Sequence, residues 1–524
     1  MRLGYGVRRD VRRDACRTAL TAVLALMLLA AIATHAQTLP KQSTRRDNSG
    51  AGRDGQGVPK GGHFEPRLEV GVRYANNINL ATNSQRRINA AGFEVSPGVY
   101  ASLTTETITA AIDYSLISRR WDNSDFSDIS HRLLANGRWN ALRDLFYVVA
   151  NAAYDDGVVD PSAGLNYGNL GIFGQSNLTE RVTTSISPKM HVRFNGFELD
   201  GSYSYGRVSY LDFGNKAAAP VLTLNTIDDS VDRDAYLSFG NSDDGQRLSG
   251  SGFYESQRTD YARSSPYRYE RVGIEGGFRV VRALSLVGSV GRESTLDESV
   301  TRGGLDSDYW GIGLRWERDN DTSAEVRFGH RFFGESYSAS MTREARFLRF
   351  DASYTESPQL ATRQLRLGRI DPGTLPPSFA PAADVASIEA SPYISKEARL
   401  GIAAKGSRTT LRLDGYYNKR DYFRKSLGDE QGAQVRFTAT RRLASNVSVD
   451  VSGAYSDYQR TTLGVALTQD TTNAYDTEVV LRGNRTLGPR LSASLEAGLL
   501  SRSGTTPYDG WWVSLRGRWS AVAR

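Results

Sequence analysis

Trp511-Trp512-Val513-Ser514-Leu515-Arg516-Gly517-Arg518-Trp519 is the stretch on which the reading of this chain turns. Taken with period two, Trp511, Val513, Leu515, Gly517 and Trp519 share one face, and Trp512, Ser514, Arg516, Arg518 and Ser520 the other. An apolar side, a charged side and an aromatic residue at each end suit a strand that stands between lipid and a watery lumen. Such a strand needs a partner on both edges, because an unpaired backbone group in hydrocarbon costs on the order of several kcal/mol. Near the front, Leu68, Val70, Val72 and Tyr74 alternate with Arg67, Glu69, Gly71 and Arg73, so Arg67 to Tyr74 is the expected partner. In a pair of this kind Arg at Leu515 should be costly, and Arg at the lumen-facing Ser514 far milder.

The same alternation recurs along the chain. Ile108, Ala110, Ile112, Tyr114 and Leu116 face one way and Asp113 the other; Trp310, Ile312, Leu314 and Trp316 oppose Arg315; Leu491, Leu495 and Leu499 oppose Glu496. About 22 such segments predict an all-β fold, an antiparallel transmembrane β-barrel with 18 strands as the lower bound. A soluble propeller or pair of sandwiches would need apolar residues on both faces of its inner strands, whereas here the second face is charged almost throughout. Connections alternate in length. Tight links are expected at Thr104 to Glu106, Ala141 to Asp144, Asn195-Gly196, Arg282-Ala283, Gly406-Ser407, Ala444-Ser445 and Leu487 to Pro489. Longer ones are expected at Asn77 to Ala90, Gly157 to Asn177, Asp212 to Asp229, Ser357 to Ser387 and Arg502 to Asp509. Short turns in the periplasm and long loops outside is the outer-membrane arrangement.

The front of the chain gives the address. Arg8, Arg9, Arg12, Arg13 and Arg17 precede an apolar run from Ala19 to Ala33 and a small-residue site at Thr34-His35-Ala36, the pattern of a cleaved Sec signal peptide. The expected organisation is a signal peptide over 1–36, a flexible periplasmic lead-in over 37–64 and an outer-membrane barrel over 65–524. The lead-in is too short for the folded plug of a TonB-dependent transporter. Cys16, the one cysteine, falls within the signal, so a mature chain would hold no disulfide, thiolate nucleophile or cysteine metal site. The signal also carries six arginines and two aspartates, which lowers the formal net charge from +7 to +3 and argues against a nucleic-acid partner.

Tyr74-Ala75-Asn76-Asn77-Ile78-Asn79-Leu80 followed by Val95-Ser96-Pro97-Gly98, with Ser187-Pro188 and Ser391-Pro392 opening later strands, resembles the outer-membrane β-barrel family associated with PEP-CTERM/exosortase loci. Those loci encode exopolysaccharide production, so the resemblance implies a channel or assembly component for exopolysaccharide export. Family members usually carry an aspartate where this chain has Asn76, so no charge-dependent role is carried to that position.

Lumen-facing charges are the candidate site. Arg132, Arg138, Asp200, Arg207, Glu275, Arg279, Arg315, Arg327, Arg412, Asp414, Arg436, Arg482, Arg516 and Arg518 are expected to line the pore, either binding an anionic or hydroxylated polymer or pairing across strands to hold the wall. Beyond Cys16 and the signal, the histidines are His63, His131, His191 and His330, with no His-Glu-x-x-His, phosphate loop or Gly-x-Ser-x-Gly, so no catalytic, cofactor or metal residue is assigned and a non-enzymatic role is expected. The alternatives are a general diffusion porin and an outer-membrane enzyme. Asp155-Asp156, Asp228-Asp229 and Asp243-Asp244 read as solvated turns. Expected partners are outer-membrane lipid and lipopolysaccharide, the barrel-assembly machinery and an exopolysaccharide.

Overall fold

The computed structural model describes residues 61–521 except 80, 82–86, 123–127, 144, 159–177, 212–227, 242–246, 298–304, 319–320, 364–389, 424–427, 464–468 and 506. Twenty-two strands follow one another: β1 (Gly61–Ala75), β2 (Ala90–Thr104), β3 (Ile108–Trp121), β4 (Asp128–Leu142), β5 (Phe146–Val158), β6 (Leu178–Phe194), β7 (Phe197–Leu211), β8 (Ser230–Asn241), β9 (Leu248–Tyr261), β10 (Tyr267–Val281) and β11 (Leu284–Asp297) make the first half. The second half is β12 (Leu305–Arg318), β13 (Thr322–Arg331), β14 (Gly334–Ala345), β15 (Leu348–Gln359), β16 (Tyr393–Lys405), β17 (Thr409–Tyr422), β18 (Asp429–Ala444), β19 (Val447–Leu463), β20 (Gln469–Thr486), β21 (Leu491–Gly504) and β22 (Tyr508–Ser520). Each pairs antiparallel with the next, and β1 pairs with β22, so the sheet is a closed ring. β1 opens at Gly61, four residues before the expected start at residue 65, because its first residues continue the ladder to Tyr100–Thr104 of β2.

Closure follows the register that the alternation demands. Arg67 lies opposite Ser520 and Ala75 opposite Trp512, with Val72 facing Leu515 between them. Two further backbone bonds extend the seam, Ala521 N to Pro66 O and Asn76 N to Trp511 O, each 3.0 Å. Trp511, Val513, Leu515 and Trp519 point outward and are exposed, while Trp512 and Ser514 are buried on the inside. A one-residue slip would exchange the two sets, so the burial of the apolar face in lipid fixes the register. Trp512 lies flat over Gly498 of β21, where any Cβ would collide with the indole ring, and its Nε1 donates to Glu496 at 3.4 Å. Ser514 is only 2% exposed and sits opposite Arg73 on one side and Glu496 on the other. The expected mildness of Arg at Ser514 is therefore corrected: that position is on the lumen side, but it is packed, not open.

The Asn76-Asn77-Ile78 run is a latch across this seam. Asn76 Oδ1 accepts the N–H of Trp511 at 2.5 Å, and Asn77 Nδ2 donates to Asp509 O at 2.7 Å. Asn77 has φ 55°, the left-handed conformation that asparagine tolerates well, and its Oδ1 accepts the N–H of Ala81 at 2.7 Å. Ile78, 2% exposed, joins Ala75, Ala90, Trp121, Val480, Leu500, Tyr508 and Trp512 in an apolar cluster just inside the rim.

The tight links fall where the sequence places them. Asn195 (φ 48°) and Gly196 (φ 80°) form the two-residue hairpin between β6 and β7, which needs positive φ at both positions. Loop length is less one-sided than expected: on the long-loop side β13 and β14 are joined by Phe332-Phe333 alone, and β21 and β22 by three residues. Pro392 precedes β16, whereas Pro97 and Pro188 lie inside β2 and β6, at gaps in their ladders to β3 and β7 where no proline N–H is required. Strands run from 10 residues in β13 to 18 in β20, most of them longer than the 9 to 11 that cross a bilayer, so the barrel wall rises beyond the lipid.

Candidate functional site: the barrel lumen

The inner wall has two zones. Toward the long-loop end, arginines and carboxylates directly opposite each other form buried pairs: Arg181 with Asp155 at 3.3 Å, Arg502 with Asp476 at 2.8 and 2.9 Å, and Arg420 with Glu430 at 3.8 Å. Between the two zones Glu94 bridges Arg119 (2.6 Å) and Arg73 (3.3 Å), and at the long-loop end Glu293 of β11 reaches over β12 to Arg331 at 2.7 Å. Removed from water, such pairs hold the wall only as long as both members are present. Tyr267, Tyr269, Tyr393, Tyr422 and Tyr458 are buried among them.

One side of this outer mouth is bridged. After β15 the chain turns inward as a short helical segment, in which Leu360, Ala361 and Thr362 are buried. Leu360 packs with Tyr267 and Tyr269 of β10, and Arg363 lies 3.6 Å from Asp234 of β8. Phe332 and Phe423 meet edge to face at 6.1 Å beside them, and Phe423 approaches Tyr267 at 6.4 Å. β15 runs two residues past the expected start of the 357–387 link, and the chain that leaves it at Leu360 folds into the lumen; the proline-rich Ile370 to Pro377 stretch lies outside the described residues.

Toward the short-turn end the inner wall of β1–β4 and β16–β22 encloses a cavity of about 720 Å³. Among the described residues nine cations line it: Arg119, Arg132, Lys405, Arg408, Arg442, Arg482, Arg485, Arg516 and Arg518. Three carboxylates face them, Glu69, Glu94 and Glu496, so the described lining carries a net charge of +6. Arg482 is held by Glu496 at 2.7 Å and Arg516 stands 3.5 Å from Glu69, while Ser, Thr and Asn side chains complete the surface. A concave low-dielectric wall bearing one sign of charge focuses its field into the space it encloses.

Of the residues expected to line the pore, Arg132, Arg482, Arg516 and Arg518 come together in this vestibule. Arg518 also lies 3.6 Å from Glu65. Glu275, Arg315 and Arg327 are drawn into a separate network with Glu325: Arg327 grips Glu275 through both guanidinium nitrogens at 2.8 and 3.0 Å, Arg315 bonds Glu325 at 2.6 Å, and Arg327 also bonds Glu325. Two arginines and two glutamates neutralise each other there. Arg412 bonds Asp414 at 2.6 Å, and Asp414 stands opposite Arg436. Asp200 holds His191 Nδ1 at 2.6 Å. Arg138 bonds Asn140 and stacks 4.0 Å over Tyr147, Arg207 bonds Ser209, and Arg279 lies half-buried near the short-turn end of β10.

The vestibule residues that the strand pattern did not single out are Arg119, Lys405, Arg408, Arg442 and Arg485. Four of these flank the tight links Gly406-Ser407, Ala444-Ser445 and Leu487 to Pro489, and that clustering of basic residues at short turns was the available signal. The acidic pairs are corrected too. Asp155 belongs to a buried ion pair; Asp228, 2% exposed, accepts the N–H groups of Arg263 and Ser264 at 2.7 and 2.6 Å. Burial holds the neighbouring Asp229 carboxyl above the usual range, against the N–H of Tyr210 that it accepts. Asp243-Asp244 lies outside the described residues. Among the described residues, no three His, Cys, Asp or Glu side chains are grouped to hold a metal ion.

No protein-family model and no curated protein matches the chain. Solved structures do. The FrpB iron transporter of Neisseria meningitidis aligns over 88% of this chain and 83% of its own at 12% identity and a TM-score of 0.47. The ferric-catecholate import receptor Fiu of E. coli K12 and the siderophore receptor PiuA of Acinetobacter baumannii each align over 87% of this chain and 81% of their own, at 8% identity and a TM-score of 0.44. The chain is a closed antiparallel β-barrel of 22 strands. At this identity the likeness is one of fold. The expected role in exopolysaccharide export is overturned: these barrels are named as an iron transporter, an import receptor and a siderophore receptor, not as exporters.

Proposed function

We propose that the protein is a non-enzymatic transport channel of the outer membrane whose periplasmic vestibule selects for small anionic solutes, those bearing carboxylate or phosphate groups. The observation that carries this reading is the imbalance of nine cations over three carboxylates in one 720 Å³ cavity, set against the closed, neutralised Glu275–Arg327–Glu325–Arg315 network on the far wall. Guanidinium groups suit carboxylate and phosphate oxygens because their paired N–H groups match both geometries.

The test is conductance of the refolded barrel in planar bilayers under a salt gradient. Wild type should give a reversal potential on the chloride side. Arg408, Arg442 and Arg485 are exposed at or beside the short turns where their strands end, so the triple Glu variant should fold and move the reversal potential toward the potassium side. A wild type that conducts no ions, or that prefers potassium, would overturn the proposal.

A further inference from the structure

The outer surface of β8–β10 carries an arrangement that the lumen does not explain. Leu237, Tyr254 and Val272 stand side by side on these three strands, all exposed, as the top row of the lipid-facing band. Two residues higher come Ala235, Ser256 and Glu270, and two higher again Arg233, Arg258 and Arg268, each directly opposite the next. Four residues at about 3.4 Å each on a strand tilted about 40° place the arginine row about 10 Å above the last apolar row, at the level of lipid headgroups.

Three like charges in register repel, and adjacent strands about 4.8 Å apart crowd them within about 10 Å. Two carboxylates offset them in part: Asp260 takes Arg233 at 2.6 Å and Arg258 at 2.9 Å, and Glu270 takes Arg268 at 2.5 Å. Each guanidinium engages a carboxylate through one nitrogen and leaves its side chain 41 to 56% exposed. Tyr205, opposite Arg233, and Tyr254, whose hydroxyl donates to Glu270 at 3.1 Å, supply the aromatic floor that belongs at a membrane interface.

We propose that Arg233, Arg258 and Arg268 form a binding site for the phosphate groups of a phosphorylated glycolipid of the outer leaflet, whose acyl chains lie on the Leu237, Tyr254 and Val272 row. A phosphate monoester supplies the charge that two carboxylates leave unmatched, and its three oxygens can accept from neighbouring guanidinium groups at once.

The experiment measures binding of bisphosphorylated lipid A, the dephosphorylated lipid and inorganic phosphate to the purified, refolded full chain in detergent. Wild type should bind the bisphosphorylated lipid at least tenfold more tightly than the dephosphorylated one, and inorganic phosphate should compete only at far higher concentration. The triple variant Arg233→Gln, Arg258→Gln, Arg268→Gln should lose that preference, the triple Lys variant should regain part of it, and Arg346→Gln, in the short link between β14 and β15, should keep it. Because the triple Gln variant could fail to fold, wild type is also titrated with salt: preference for the bisphosphorylated lipid should fall steeply as salt rises. Equal affinity for the two lipids, an unchanged preference in the folded triple Gln variant, no salt dependence, or phosphate competing at the lipid's own affinity would each overturn the proposal.

Discussion

Leu515→Arg is the most informative substitution in the closing strand. The outward residues of β22 run from Trp511 to Trp519, eight steps that rise about 21 Å at the usual pitch and tilt, close to the roughly 25 Å of an outer-membrane apolar band. Leu515 is the midpoint, 52% exposed, with Val72 of β1 and Leu495 of β21 beside it at 53% and 56%. Among the described residues no carboxylate stands in that row to receive a guanidinium. Arginine there should cost about 2 to 4 kcal/mol, a change of about 30-fold to 900-fold in the folding equilibrium. Its neighbour Arg516 turns inward and stands 3.5 Å from Glu69, so Arg516→Ser should cost only about 0.2 to 1 kcal/mol. Urea titrations of the barrel refolded into lipid vesicles, read by heat-modifiability on gels, give both numbers. A Leu515→Arg barrel within about 0.5 kcal/mol of wild type would refute the lipid-facing register of β22.

Arg502→Ala should destabilise the barrel by about 3 to 5 kcal/mol because it strands the buried Asp476, whereas the double change Arg502→Met, Asp476→Leu should be close to neutral; the same titration separates them. Gly498→Ala should cost about 1 to 3 kcal/mol by pushing on the Trp512 ring, visible also as a shift of tryptophan emission. Asn77→Ala loses the bond to Asp509 O and puts a Cβ without a compensating side-chain acceptor at positive φ, so its heat-modifiability midpoint should fall, and Asn77→Gly should recover only part of the loss.

The alternation of apolar and charged residues made strand number, strand pairing and the lipid face legible, since lipid imposes the period-two pattern on every strand alike. Trp511 to Trp519 and Arg67 to Tyr74 are found in the register their patterns require. What the pattern cannot carry is distance across the lumen. Nothing in the sequence neighbourhood of Glu293 points to Arg331, two strands away, and nothing near Leu360 announces that it turns inward onto Tyr267. Alternation also reports only which side a residue faces, so Ser514 read as open lumen although Arg73 and Glu496 enclose it. The vestibule arginines at Arg408, Arg442 and Arg485 lie at strand ends, where the alternating pattern gives way to turns and a pattern-based reading loses them.

The orientation of the barrel decides whether the basic vestibule faces the periplasm, and single cysteines measure it directly. Ala262 is exposed in the link between β9 and β10, and Ser407 is exposed in the turn between β16 and β17. Ala262→Cys should react with an impermeant thiol reagent on intact cells, and Ser407→Cys only after the outer membrane is opened. Labelling of Ser407→Cys on intact cells with Ala262→Cys protected would place the vestibule at the cell surface and contradict the account.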